Sequence, residues 1–210
     1  MAHPNLSRHP MRILTWSIVL ALPIAAGAQT PSPAATPLSE AQQIASAVLP
    51  LPAEFRSDAR VLGYRVGSKE LVTLRESNGA FICLASNPAN AQFHVACYHR
   101  SLEPFMARGR ALRAAGVKGD KVDSARFAEI RSGKLAMPRQ AAALYSLTGA
   151  EKSAYDTTTK TVPGARALAV IYISGATTAS TGLSSRPTEG APWIMFPGTP
   201  KAHIMLVPKM

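Results

Sequence analysis

Cysteine is scarce in this chain: Cys83 and Cys97 are the only two among 210 residues. Neither follows the apolar run near the N-terminus, which excludes a lipid-anchored lipoprotein. Their spacing is not C-x-x-C, so a thioredoxin-like redox role has no footing. Acidic residues are sparse as well, 12 against 23 Lys plus Arg. They are scattered, and no carboxylate pair for acid–base chemistry emerges from their spacing. The N-terminal apolar run, Ile13 to Ala26, falls short of the roughly 20 residues that a membrane-spanning helix needs. Signature motifs are missing too. No G-x-S-x-G surrounds Ser184 or Ser185, and neither H-E-x-x-H nor G-x-x-x-x-G-K-[ST] occurs. No motif calls for a cofactor.

What is present begins with a three-zone N-terminus. Arg8 and Arg12 give a positive start, ILTWSIVLALPIAA is uncharged and apolar, and Ala26-Gly27-Ala28 supplies small residues. That is the layout of a secretory signal peptide over residues 1–28, cleaved after Ala28 to leave Gln29 at the new N-terminus. Pro23 breaks the helix where such apolar regions often end. The two arginines are not adjacent, so the signal is not of the twin-Arg type. An uncleaved N-terminal anchor is the alternative. After cleavage no permanent membrane span is expected. Residues 29–38 (QTPSPAATPL) have three prolines and read as a disordered tether. Residues 39–210 are expected to form a single α+β domain.

Export has chemical consequences. The compartment is periplasmic or extracellular and oxidising, so Cys83 and Cys97 are expected to form one disulfide. The loop it closes is about 15 residues, worth about 3 kcal/mol by loop entropy. Without the two arginines of the leader, the formal charge of +11 becomes +9. A basic exported domain meets anionic lipid headgroups, anionic glycans or polyanionic small molecules. Nucleic acid is not expected as a partner, because export removes the chain from it. The plainer alternative is a basic envelope protein with no dedicated anion site.

Hydrophobic periodicity divides the domain. Ser39 to Val48 predicts a helix, with Ser39 and Gln42 as a capping box and Pro50 and Pro52 beyond it. Residues 60–99 change to period two. Arg60–Val66, Glu70–Glu76, Ala80–Ala85 and Gln92–His99 read as strands of a four-stranded antiparallel meander, with Asn78-Gly79 as a hairpin turn. Placing Cys83 opposite Cys97 sets Ala85 opposite Val95 and leaves the disulfide on an apolar face. Residues 101–149 predict helices: Ser101 to about Ala115, Asp123 or Ser124 to about Ser132, and a third opened by Pro138 and ended by Gly149. Strands return over 167–207: Ala167–Ile173, then Trp193–Phe196 and Ala202–Val207 around Pro197-Gly198-Thr199-Pro200. The Ser/Thr/Gly-rich stretch 174–190 between them lacks periodicity and reads as a long mobile loop. The predicted fold is therefore α+β, an antiparallel sheet in two sequence blocks with a helical insert between them.

Between Arg100 and Arg139 lie ten Lys/Arg and four Asp/Glu. Arg108, Arg110, Arg113, Lys118 and Lys121 are the candidate anion-binding residues, with a solvated helix face as the alternative. His94 and His99 are five apart on one strand and point to opposite faces. His203 and Met205 share a face, with Met195 on the neighbouring strand. Soft Met and His ligands suit copper(I), and a metal site would need His99, His203 and Met205 to converge. A hydrolase is the other alternative, with its site near loop 174–190 and His203.

At Asn78-Gly79-x-Phe81-x-Cys83 and Pro192-Trp193-x-Met195-Phe196-x-Gly198-Thr199-Pro200-x-Ala202-His203-x-Met205, the chain resembles an uncharacterised family of small exported proteins of Gram-negative bacteria. The resemblance spans most of residues 40–207 and implies no activity, cofactor or catalytic residue. The leading expectation from sequence is a non-catalytic envelope or periplasmic binding domain. Its expected partner is an anionic envelope component or another envelope protein.

Overall fold

Ser39 caps the first helix, α1 (Glu40–Ala47), as its spacing to Gln42 predicts. The Ser39 hydroxyl accepts from the Gln42 amide, and the Gln42 side chain accepts from the Ser39 amide. The computed structural model describes residues 38–208 apart from 66, 69, 151–153, 188 and 189. The leader, its cleavage point at Ala28 and all of the tether but Leu38 lie outside the described residues. One helix face of α1 carries Ala47, and with Val48 and Leu51 it buries against the sheet. Gln43 is buried as well. Its amide donates to Leu38 O and Tyr64 O and accepts from Tyr64 N, so no polar atom of the amide goes unmatched.

Eight strands form one mixed sheet in the order β2-β1-β3-β4-β5-β6-β8-β7. They are β1 (Arg60–Tyr64), β2 (Leu71–Arg75), β3 (Phe81–Leu84), β4 (His94–His99), β5 (Ala142–Thr148), β6 (Arg166–Tyr172), β7 (Trp193–Met195) and β8 (His203–Leu206). The α+β class and the helical insert stand. The insert is α2 (Glu103–Ala114) and α3 (Asp120–Arg131). Two details differ from the sequence expectation, each for a physical reason.

The first four strands are not a simple meander. β3 lies on the far side of β1 from β2 and runs parallel to β1. Asn78-Gly79 therefore makes no two-residue hairpin. Gly79 meets a different demand, because a Cβ there would sit 2.1 Å from the Asp58 carbonyl oxygen. Arg100 secures that crossing by donating to Gly79 O and Ser77 O.

The third predicted helix is a strand. Residues 142–148 form β5, flanked by β4 and β6. Alanine favours helix in isolation, but this segment is covered on both faces. Ala142 and Leu144 pack toward α2 and α3, while Ala143 and Tyr145 pack toward α1. Small apolar residues suit a central strand in that setting.

The two faces carry separate cores. Helices α2 and α3 cover one face, with Phe105 of α2 packed among Ile82, Tyr98, Val170 and Tyr172. On the other face α1 covers Val61, Phe81, Cys83 and Cys97. Cys83 and Cys97 stand directly opposite each other on β3 and β4 and are joined by a disulfide, with Cα atoms 4.0 Å apart. Cys97 Sγ lies 3.2 Å from Ala47 O, which seats the end of α1 on the bond. Residues 174–187 are more ordered than their composition suggests. They hold a short helix, α4 (Thr178–Thr181), capped by Thr177 and Ser180, and their Ala176 and Leu183 pack on buried Ile194. No helix among the described residues is long and apolar enough to cross a membrane.

Candidate functional site

Three basic residues of the helical layer are paired with carboxylates. Arg108 forks onto Glu129 across the two helices, with Nε 2.8 Å from Oε2 and Nη2 2.5 Å from Oε1. Arg110 pairs with Glu103 at 2.7 Å and donates to the Tyr98 hydroxyl at 2.8 Å. The same Tyr98 hydroxyl donates to Glu103 at 2.5 Å. Burial, then the Glu103 hydrogen bond, pushes the Tyr98 phenol well above its ordinary range. Arg108 and Arg110 are thus committed to internal ion pairs, which turns two of the five candidate anion-binding residues into structural ones.

Arg126 goes deepest. It is 4% exposed, its guanidinium carbon lies 3.7 Å from the centre of the Phe105 ring, and it donates to Phe105 O. Gly109 makes room for it, since a Cβ there would come within 2.8 Å of Arg126 Nη1. Asp123 bonds Arg126 on one carboxylate oxygen and Lys201 Nζ, at 2.8 Å, on the other. Burial raises the Asp123 pKa, but hydrogen bonds from Lys201 and Arg126 outweigh it, and the carboxyl ends below its usual range. This clamp ties α3 to the β7–β8 hairpin. Sequence reasoning missed it, although the Asp123–Arg126 spacing of three was a usable signal.

Arg113, Lys118 and Lys121 are different. They occupy the last turn of α2, the connecting turn and the first turn of α3, and all three are exposed. Among the described residues no ion pair engages any of them. The α2–α3 turn therefore carries three cations that form no ion pair, with Asp120 the one carboxylate among residues 113–121.

His203 sits on β8, in register with Tyr172 on β6 and Met195 on β7. It is 6% exposed and packs between the rings of Tyr172 at 4.9 Å and Phe196 at 5.7 Å. Its Nδ1 donates to Lys201 O at 2.7 Å. Burial lowers its pKa, so the ring is neutral at physiological pH. Among the described residues no hydroxyl or carboxylate hydrogen-bonds this ring. Nor do the suggested metal ligands converge. His99 lies three strands away from His203 on the α1 face, edge-on to Phe81 and bonded to Ser101. Met205 shares the helix-covered face with His203 but packs into the core there. No group of three His, Cys, Asp or Glu that could hold a metal occurs among the described residues.

Comparison with known proteins finds no matching family model, no matching curated protein and no matching solved structure.

Proposed function

We propose that the chain is exported and that its mature domain is a non-catalytic binding module for an anionic component of the cell envelope, docking through the tip of the α2–α3 hairpin. The observation that carries this reading is the sorting of cations: Arg108, Arg110 and Arg126 each pair with a carboxylate, while Arg113, Lys118 and Lys121 form no ion pair. The signal-like leader and the disulfide support the exported setting. Each basic side chain near an anionic surface contributes about 1 kcal/mol. Three together are worth roughly a hundredfold in affinity.

The test is sedimentation of the exported protein with vesicles of phosphatidylglycerol and, separately, of phosphatidylcholine. Binding to the anionic vesicles at 50 mM salt and release by 0.5 M salt is the expected result, because the Debye length shrinks to a few ångströms. Charge reversal at all three positions (R113E, K118E, K121E) is expected to abolish the binding, and Arg166→Glu, an exposed site on β6, to leave it unchanged. Equal binding to neutral vesicles would refute the reading. A product mass beginning at Gln29 checks the export step.

A further inference from the structure

Among the described residues, the sheet face opposite α2 and α3 is only partly covered. α1 lies over β1, β3 and β4, and the segment around α4 packs on Ile194 of β7. Between them, period-two alternation puts Ala169 and Ile171 of β6 on this face, because Val170 and Tyr172 face the helices. Across the ladders, Tyr145 and Leu206 stand beside Ala169, and Ile204 beside Ile171. Ala169, Ile171, Ile204 and Leu206 are half-buried and belong to none of the four buried clusters among the described residues.

This apolar strip runs into a concavity of about 470 Å³ at the other end of β6, within the size range of small-molecule sites. Leu49, Pro50, Leu147, Val162 and Ala167 give it apolar walls, and its charged lining residues are two cations, Arg56 and Lys160. Arg56 is held in place by donating to Leu51 O at 2.8 Å and Leu49 O at 2.9 Å. Lys160 stands at φ +55°, the left-handed region that disfavours a side chain. Glycine would occupy that turn without strain, but it would bring no ammonium group. The nearest carboxylate in the turn, Asp156, is engaged by the amides of Thr158 and Thr159. From Ala167 to Ile171 the strip extends about 13 Å along the strand.

We propose that this trough binds a single-chain amphiphile, a fatty carboxylate, with its head between Arg56 and Lys160 and its tail along Ala167, Ala169 and Ile171. Two cations and no carboxylate among the residues lining one end, with uncharged apolar surface leading away, match an anionic head and apolar tail better than a neutral or cationic ligand. The site is separate from the helical tip and does not rest on the envelope-docking reading.

Titration calorimetry of the purified exported protein with dodecanoate, below its micelle concentration, tests it. One-to-one binding is expected, and dodecyltrimethylammonium, with the same tail and opposite charge, is expected to bind at least tenfold more weakly. Lys160→Gly is expected to weaken dodecanoate about tenfold while leaving the melting temperature unchanged or higher, since it relieves the φ strain. That pair of signs separates lost recognition from lost folding. Ala167→Trp, confirmed as folded by its melting curve, is expected to block binding. The R113E/K118E/K121E variant is expected to bind dodecanoate normally, which keeps this outcome independent of vesicle docking. Equal binding of the two amphiphiles, or full affinity in both Lys160→Gly and Ala167→Trp, would overturn the proposal.

Discussion

In the interior of the sheet, on β3 and β4, a disulfide joins Cys83 to Cys97, two residues already facing each other across a strand pair. At the β7–β8 end Asp123 of α3 reaches across to Lys201 in the hairpin turn, 78 residues away in sequence, and also holds buried Arg126. The covalent link acts mainly on the unfolded chain, by restricting it. The ionic clamp acts on the folded state. Its net worth is modest because three charges lose water, but removing one partner is expensive. The interior of the sheet therefore answers to redox conditions and its β7–β8 edge to pH.

The comparison can be broken most sharply at Asp123. Asp123→Ala leaves the Arg126 guanidinium buried beneath Phe105 without its carboxylate. The expected loss is about 3–5 kcal/mol by urea denaturation, together with faster amide exchange in β7 and β8. Adding Arg126→Met should recover most of that loss, because an apolar residue of similar length leaves no orphaned charge. A double variant that stays as unstable as Asp123→Ala would mean that the clamp is not what fails.

Removing the staple is expected to do less. Cys83→Ala with Cys97→Ala should lower stability by about 3 kcal/mol, with amide exchange in β7 and β8 changed only as far as global stability falls. The smallest effect is the response to acid. The Asp123 pKa is lower folded than unfolded. Its contribution is therefore complete above the unfolded value of about 3.9 and is lost as pH falls through the folded value. Stability measured from pH 6 down to pH 2 should decline less steeply in Asp123→Asn than in the parent chain. The staple-free variant should keep the parental slope.

These two regions were not equally legible in the sequence. The register of β3 on β4 was legible because placing Cys83 opposite Cys97 leaves the pair on an apolar face that alternation supports. The Ser39 cap was legible because its partner lies three residues away. By contrast, β5 read as a helix: local alanine preference spoke for helix, and only burial on both faces decides otherwise. The parallel pairing of β1 and β3 was hidden because Gly79 answers to the Asp58 backbone, a contact that no local pattern announces. Among the candidate site residues, the basic excess was visible, but its division was not. Arg108 and Glu129 meet only once two helices pack, so internal and available cations look alike in a linear string. Arg56 and Lys160 share a concavity across about a hundred positions of chain and had no common signal.

The placement of the disulfide also bears on the order in which the chain assembles. Its cysteines sit on strands adjacent in both sequence and sheet, so closing the bond requires only a short excursion of the chain. The next pairing, β4 with β5, spans the whole α2–α3 insert, and loop closure makes such contacts slower to form. Oxidation can thus precede collapse of the sheet. A β3–β4 ribbon fixed in register then presents Cys97 and Tyr98 on opposite faces, as a template on which β5, α1 and the helical layer are laid down.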